Sequence, residues 1–234
     1  MVLKKLSDGQ KKFNYNYLIF MRIHKRLLLC MIFLFLFCKS DQQTFEKTPQ
    51  PTKHTLLNQY TIPKWEVTNF SGSGTVKLSD SVITIGAGND LTGINWTGHF
   101  PKKNYELSLQ AKRLEGDDFF CGLTFPVRGT YCSLIVGGWG GMVVGISNVD
   151  WNDASENITT TNMAFKNDVW YLIHLKVTGE KIQVWIDHNL LIDLRHSDHQ
   201  LSLHPFMKPS TPFGLTTWKT KARIRNIILK ENIN

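Results

Sequence analysis

The sequence predicts an all-β fold, a two-sheet antiparallel sandwich of the jelly-roll type. Short apolar runs with a period of two recur from residue 65 onward, and Gly, Asn, Asp and Pro residues separate them. No stretch of this region keeps the 3.6-residue period of an amphipathic helix. The chain has 234 residues, which is enough for one large sandwich in addition to an N-terminal segment of different composition.

The predicted strands lie where β-branched or aromatic residues alternate with polar ones. The strands 118–125 and 131–136 are predicted to form a hairpin around Arg128 and Gly129. Trp170 and Trp185 alternate with apolar residues and are therefore assigned to the core. In chain order the predicted strands are 74–78, 81–85, 105–113, 118–125, 131–136, 142–146, 170–177, 181–186, 190–194, 213–218 and 222–229.

Residues 1–38 are predicted to be a signal peptide or a membrane anchor. Residues 21–26 are cationic, and residues 27–37 form an apolar run as long as a signal-peptide core but too short for an ordinary spanning helix. Three outcomes fit this pattern: a lipoprotein whose lipidated residue is Cys38, a retained anchor, and a secreted chain. Each of them places the rest of the protein outside the cytoplasm, in the cell envelope or at the cell surface.

Residues 39–59 are polar and contain Pro49 and Pro51, which is typical of an extended linker. The alternating pattern begins only after this segment. The sequence therefore predicts a linker at 39–59, between the membrane and a single jelly-roll domain at 60–234.

The formal net charge of +8 is concentrated near the N-terminus, where residues 1–38 carry +6 and leave +2 for the rest of the chain. Binding to a phosphate backbone requires a concentrated patch of Lys and Arg. A body so close to neutral argues against nucleic acid as a partner.

Two of the four cysteines, Cys30 and Cys38, belong to the N-terminal segment. Cys121 and Cys132 flank the predicted turn, and an oxidising compartment would permit a disulfide between them. Two buried thiols that behave as small apolar residues fit the spacing equally well. The sequence leaves both alternatives open.

Four segments carry a resemblance to a known family: GDDFFCGLTFP at 116–126, CSLIVGGWGG at 132–141, DASEN at 153–157 and PFGLTTW at 212–218. They resemble the 3-keto-disaccharide hydrolase domain family, a branch of the concanavalin-like jelly rolls. The likeness runs from about residue 65 to 230. It implies action on glycosides whose sugar carries a ketone at carbon three. Such a ketone acidifies the neighbouring C–H, so that a base can remove the proton, the glycosidic oxygen can leave, and water can add.

The resemblance and the polarity of these segments single out two candidate catalytic carboxylates. Glu156 lies in a polar loop within the DASEN segment and is the first choice for the general base. It follows Asp150 and Asp153, and several carboxylates that converge would raise one another's pKa. Asp118 starts a strand of otherwise apolar residues and is the second catalytic candidate.

Six residues are predicted to bind substrate. The tryptophans offer flat ring faces to sugar rings, and the glycines around the first of them leave its indole uncovered. The polar candidates would donate or accept hydrogen bonds with sugar hydroxyls, although Arg113 could equally meet water. The six are Trp139, Asn157, Asp153, Trp218, Lys219 and Arg113.

A divalent metal could stabilise an enolate, but the sequence shows no metal-ligand spacing that requires one. His196 and His199 are three residues apart with His204 nearby, yet they lack the Glu of an H-E-x-x-H site. The paired carboxylates E-x-D-x-x-E of laminarinase-type glycosidases are also missing. Two functions stay open: an enzyme that acts on 3-keto-glycosides, and a non-catalytic carbohydrate-binding or adhesion module.

Overall fold

A computed structural model describes residues 50–233. These residues form two antiparallel sheets that pack face to face. The predicted signal or anchor segment, Cys38 included, lies outside the described residues and stays a prediction. Within residues 50–233, no helix has both the length and the hydrophobicity needed to cross a membrane.

Strands dominate the described chain, and its helices are three short 3-10 segments at Ile62–Lys64, His196–Asp198 and Pro205–Ser210. The strands are β1 (Thr52–Thr55), β2 (Trp65–Val67), β3 (Val76–Leu78), β4 (Val82–Ile85), β5 (Leu91–Trp96), β6 (Tyr105–Glu115), β7 (Cys121–Val127), β8 (Thr130–Gly138), β9 (Val143–Ser147), β10 (Thr161–Asn162), β11 (Tyr171–Val177), β12 (Lys181–Ile186), β13 (Asn189–Arg195), β14 (Gly214–Trp218) and β15 (Lys221–Glu231).

The two sheets differ in their strand order. The back sheet has the order β13-β12-β11-β6-β15-β4-β3, with β1 paired to β15 outside this path. The front sheet has the order β10-β9-β8-β7-β14-β5-β2. This arrangement confirms the predicted all-β, two-sheet antiparallel sandwich.

The core lies between the sheets and follows from the alternation of the back-sheet strands. In β6, β11 and β12 every second residue is buried, which places Leu107, Ile173 and Val184 against the front sheet. The aromatic rings of Phe100 and Phe213 stack in this core with centroids 4.5 Å apart. Burial of each such side chain contributes roughly 1.5–3 kcal/mol to folding.

The predicted hairpin around residues 128–129 is confirmed. β7 and β8 pair antiparallel with Val127 opposite Thr130, so only two residues form the turn. Arg128 and Gly129 both have positive φ, 48° and 77°. This is the geometry of a type I′ turn, whose twist matches that of the flanking strands.

The sandwich begins earlier than the predicted domain boundary at residue 60. β1 pairs with β15, and the next two residues, Leu56 and Leu57, are only 3% and 5% exposed. Part of the segment assigned to the linker is therefore sheet and core. The polar sequence of β1, Thr-Lys-His-Thr, has no apolar alternation that would predict a strand.

The assignment of Trp170 and Trp185 to the core was wrong. The inward positions of β12 belong to Ile182 and its alternate neighbours, so Trp185 faces outward and stacks on His174 with ring centroids 4.9 Å apart. Trp170 lies just before β11, half-buried, with the Arg225 guanidinium 4.0 Å from its ring centre. Alternation with apolar residues places a side chain on one face of a strand, but it does not say which face is inside.

Cys121 and Cys132 are free, buried thiols, so the structure decides against the disulfide. Burial raises the pKa of each thiol to about 12. Both side chains therefore stay protonated at neutral pH and pack as small apolar groups in the core.

Candidate functional site

A cleft of about 310 Å³ opens on the outer face of the front sheet. Two segments cover the sheet beside it: the site loop, residues 148–160, and the segment 201–213. The polar side chains that line the cleft are few and chemically reactive. They are Asp118, Ser147, Asp153 and His204.

The walls of the cleft are apolar because a second apolar cluster covers the outer face of the front sheet. Leu91, Phe119, Ile135 and Met207 belong to it and also line the cleft. A Cβ atom at Gly122 would lie 2.9 Å from the Phe119 ring, so only glycine lets this ring lie flat on the strand. The front sheet is thus covered on both faces, which explains why β7, β8 and β9 are buried almost throughout instead of alternating.

Asp118 lies at the entrance to β7 with its carboxylate in this apolar cleft. Its Oδ1 accepts a 2.7 Å hydrogen bond from the backbone N–H of Phe119, and the nearby backbone N–H of Trp139 also lowers the pKa of the carboxyl group. Burial raises the pKa of Asp118 above its ordinary value. The two N–H groups and Lys219 partly offset this rise, while the charge of Asp117 adds to it. A carboxylate with a raised pKa is better able to accept a proton than an ordinary aspartate.

Trp139 occupies the turn between β8 and β9, here called the glycine turn (residues 137–141). Its own φ is 45°, and Gly137, Gly140 and Gly141 have φ values of 77°, 81° and 93°. This left-handed backbone lifts the indole off the sheet, where it lines the cleft and remains 47% exposed. The same turn presents the Trp139 N–H to Asp118, so it places the ring and orients the carboxylate together.

Arg113 does not line the cleft but lies beneath the glycine turn. Its Nε donates to Oδ1 of Asn167 and its Nη2 to the carbonyl of Phe165, both at 2.8 Å. The guanidinium lies 5.9 Å from the Phe120 ring centre, and a Cβ at Gly141 would come within 2.5 Å of Nη1. Through these contacts Arg113 supports the glycine turn, in place of the predicted contact with substrate.

The expected convergence of carboxylates in the site loop is wrong. Asp153 lines the cleft and accepts hydrogen bonds from the N–H and hydroxyl of Ser155 at 2.9 and 2.7 Å. Asp150 points elsewhere and accepts a 2.7 Å hydrogen bond from Nδ1 of His199. Glu156 is exposed and does not line the cleft. Asp150 and Asp153 have separate hydrogen-bond partners and Glu156 faces solvent, so adjacency in sequence did not bring the three carboxylates together.

Asn157 holds the site loop together from within. Its Nδ2 donates to the carbonyls of Ile146, Asn152 and Asp153, and its Oδ1 accepts from the N–H and hydroxyl of Thr159. These partners use the whole hydrogen-bonding capacity of the amide. The structure therefore gives Asn157 a loop contact in place of the predicted contact with a sugar hydroxyl.

Replacing Asn157 with Ala is expected to lower the free energy of unfolding by about 2–3 kcal/mol, because several buried polar groups lose their partner at once. Urea denaturation measures this change. Ile158→Ala, in the same loop but 73% exposed, is the matched control and is expected to stay within about 0.5 kcal/mol of wild type. An unchanged stability together with weaker sugar binding would return Asn157 to the role that the sequence predicted.

The structure adds His204 and Phe206 to the site. Nδ1 of His204 accepts a hydrogen bond from the N–H of Phe206 at 3.4 Å, so the neutral ring carries its proton on Nε2. The spacing of the histidines in the sequence suggested only a metal-binding role for His204. A histidine and an aromatic residue close together, here His204 and Phe206, also suit a sugar site. Trp218 lines the cleft as predicted, whereas Lys219 lies beside it, 3.4 Å from Asp90.

No group of three or more His, Cys, Asp or Glu side chains in the described part of the chain is arranged to hold a metal ion.

Comparison with known proteins gives one family and a shared fold. A family model described as a 3-keto-alpha-glucoside-1,2-lyase-like domain matches residues 56–230. No curated protein matches the chain. Among solved structures, apo Crh5 transglycosylase is 13% identical with a TM-score of 0.51, over 80% of this chain and 86% of that chain.

Two further structures are similar. A structure from work on endo-acting O-glycanases of the human gut microbiota is 10% identical with a TM-score of 0.51, over 73% of this chain and 92% of that chain. The carbohydrate-binding module CBM66 from Bacillus subtilis is 14% identical with a TM-score of 0.49, over 70% of this chain and 93% of that chain. Identities this low establish the fold alone.

Proposed function

Because the chain belongs to the 3-keto-alpha-glucoside-1,2-lyase-like domain family, we propose that it cleaves 3-keto-glycosides by elimination across carbons one and two. The family and the fold make it a carbohydrate-active or carbohydrate-binding protein. One observation carries the finer proposal: the carboxylate of Asp118 lies in an apolar cleft, is oriented by a hydrogen bond from the backbone N–H of Phe119, and has a raised pKa.

In the proposed reaction the Asp118 carboxylate removes the proton from carbon two, and the electron pair moves onto the ketone oxygen as an enolate. When the ketone re-forms, this electron pair makes the bond between carbons one and two a double bond and the C1–O bond breaks, while Asp118 gives the abstracted proton to solvent. The aglycone oxygen leaves and gains a proton from solvent. Addition of water to the unsaturated sugar yields the free 3-keto sugar.

His204 is proposed to stabilise the enolate. Its Nδ1 is engaged by the Phe206 N–H, which leaves Nε2–H as a hydrogen-bond donor on a side chain that lines the cleft. A donor placed before the charge develops is worth more in a water-poor cleft than in bulk solvent.

Trp139 is proposed to stack on the sugar ring, so Trp139→Ala is expected to raise KM about tenfold, equivalent to ~1.4 kcal/mol of lost binding, with a smaller change in kcat. The backbone N–H toward Asp118 is kept in this variant. Steady-state kinetics with a 3-keto-glucoside separate the two constants. Trp151→Ala, which removes an indole that is 77% exposed and outside the cleft, is the control. Equal kinetics for the two variants would contradict the stacking role.

The raised pKa of Asp118 predicts the acid side of the pH profile. The base acts in its ionised form, so kcat/KM is expected to fall with decreasing pH above the ordinary aspartate value of 3.8. Between the unfolded and folded pKa values the folded state binds more protons, so the stability contributed by this group decreases as pH rises through that window. A profile of kcat/KM against pH checks the first statement, and an acid limb at or below 3.8 would contradict it.

The proposal is tested by incubating the purified protein with a panel of 3-keto-glucosides, with and without added divalent metal, and measuring aglycone release. Release by wild type is the expected result. A second candidate is a non-catalytic carbohydrate-binding module, which the half-exposed indole of Trp139 beside an apolar cleft also favours. Saturable binding of plain sugars without release from any 3-keto-glucoside would support that module.

We also propose that this chemistry takes place outside the cytoplasm. The support is the cationic stretch at 21–26 and the apolar run at 27–37, both outside the described residues. Fractionation of cells that make the full chain, with and without Cys38→Ala, would separate lipidated, anchored and secreted forms.

A further inference from the structure

The outer face of the back sheet lies on the side of the domain opposite the cleft, and its first notable feature is a row of cations. Strand registers place Lys77 opposite Thr84, Thr84 opposite Arg223, and Arg223 opposite Lys112, so three cations share one row across four strands. Arg225 follows on the same strand. The Trp170 ring lies between Arg225 and Lys112, at 4.0 and 5.3 Å from their charged groups.

A second row crosses the same face near the point where the chain enters the sheet. Lys53 of β1 lies opposite Lys230, Lys230 opposite Glu106, and Glu106 opposite Lys176. Glu106 is the one carboxylate in this row and already pairs with two of the lysines, Lys230 at 3.3 Å and Lys176 at 3.6 Å. The row therefore keeps a net positive charge.

At the β13 end of the back sheet, β12 and β13 add Lys181 and Arg195 to the same face. The carboxylate of Asp193 lies 3.1 Å from Lys181. The outward strand positions of the back sheet thus carry nine Lys and Arg side chains against two carboxylates. Residues 50–233 contain 18 Lys and Arg and 16 Asp and Glu in total. This face accordingly carries about +7, while the rest of the domain, Asp168 beside Lys112 included, is net negative.

We propose that this basic face of the back sheet docks on an anionic phospholipid bilayer. The cations of this face are dispersed over seven strands, which fits an extended anionic surface better than a single small ligand. Each Lys or Arg near such a surface strengthens binding about fivefold. The cleft lies on the opposite side of the sandwich and stays open to substrate when the basic face is docked.

The position of the first strand, β1, supports a bilayer as the partner. β1 lies in the back sheet, and its Lys53 is one of the face cations. The apolar run at 27–37 is separated from β1 by residues 38–51, a segment that spans at most about 50 Å when fully extended. A bilayer that holds the apolar run is therefore within reach of the basic face.

Vesicle binding tests the proposal with residues 39–234, which contain every strand and every core residue of the sandwich and lack the apolar run. Wild type is expected to sediment with vesicles of phosphatidylcholine and phosphatidylglycerol, not with phosphatidylcholine alone, and to be released by high salt. The variant Lys53→Glu/Lys77→Glu/Arg223→Glu changes three exposed cations for which the described structure shows no ion pair. It is expected to bind on the order of 100-fold more weakly.

The matched control is Lys64→Glu/Lys208→Glu/Lys219→Glu, which has the same net charge but alters exposed lysines outside the back sheet. It is expected to change binding by less than about fivefold, the effect of one cation. Equal loss in both variants, or no binding to anionic vesicles, would overturn the proposal. Binding of a soluble acidic polysaccharide with no binding to vesicles would also overturn it and identify a polymer as the partner.

Discussion

Asp118→Asn is expected to lower kcat for aglycone release by about 10²–10⁴-fold, the usual contribution of a positioned general base. The amide has nearly the same shape as the carboxylate but cannot accept the proton from carbon two. Burial raises the pKa of Asp118, which brings its basicity closer to what proton abstraction requires. The same burial disfavours the ionised group, so the Asn variant is expected to fold at least as stably as wild type at neutral pH.

Glu156→Gln is the matched control for that experiment. It makes the same chemical change at a carboxylate that is exposed and outside the cleft, so it is expected to keep nearly full activity. The reverse pattern, with Asp118→Asn active and Glu156→Gln inactive, would return the base to the site loop. Thermal unfolding of both variants shows whether either loss of activity is a loss of fold.

Arg113→Ala is expected to lower the free energy of unfolding by about 3–5 kcal/mol. The arginine is 8% exposed and donates charge-assisted hydrogen bonds to Asn167 and Phe165. Such bonds contribute roughly 1.5–3 kcal/mol each, and the side chain also packs on Phe120. For a domain of this size the melting temperature should fall by at least about 6 °C.

The control for Arg113 is Arg223→Ala, an exposed arginine on the back sheet. It is expected to change the unfolding free energy by less than about 0.5 kcal/mol. Wild-type stability for Arg113→Ala, accompanied by a raised KM, would mean that Arg113 contacts substrate after all. A partial effect of Arg113→Lys would be informative too, because lysine keeps the charge but cannot form the same two-directional contacts.

The sequence predicted the fold well where side-chain alternation and turn chemistry agree. β6, β11 and β12 alternate over their whole length, and the turn at 128–129 has the glycine that its positive φ values require. β1 and β10 left no such signal because they are short and polar. Trp185 shows a further limit: period two divides a strand into two faces, and only the opposing sheet decides which face is buried.

The candidate site was predicted only in part. Asp118, Trp139 and Trp218 meet in the cleft because the ends of the front-sheet strands and the glycine turn bring them together, and the site loop adds Asp153. The other predicted residues depend on the path of loops. That path is determined by hydrogen bonds such as those of Asn157, which the sequence does not reveal.

Sequence patterns also did not predict that the segment 201–213 lines the cleft. His204 and Phe206 precede a cis peptide bond between Thr211 and Pro212, and they reach the cleft across the outer face of the front sheet. Nothing in the spacing of His204 and Phe206 relates them to Asp118, which lies 86 residues before His204. Only the topology, in which β14 follows this segment and pairs with β7, brings them together.

The most direct test of the account is proton NMR of a 3-keto-glucoside in D₂O with the wild-type protein and with Asp118→Asn. Wild type is expected to release the aglycone and to exchange the proton at carbon two for deuterium, while the Asn variant is expected to do neither within the same time. A wild type that binds the sugar but leaves both the carbon-two proton and the glycosidic bond intact would contradict the proposed elimination and indicate a binding module.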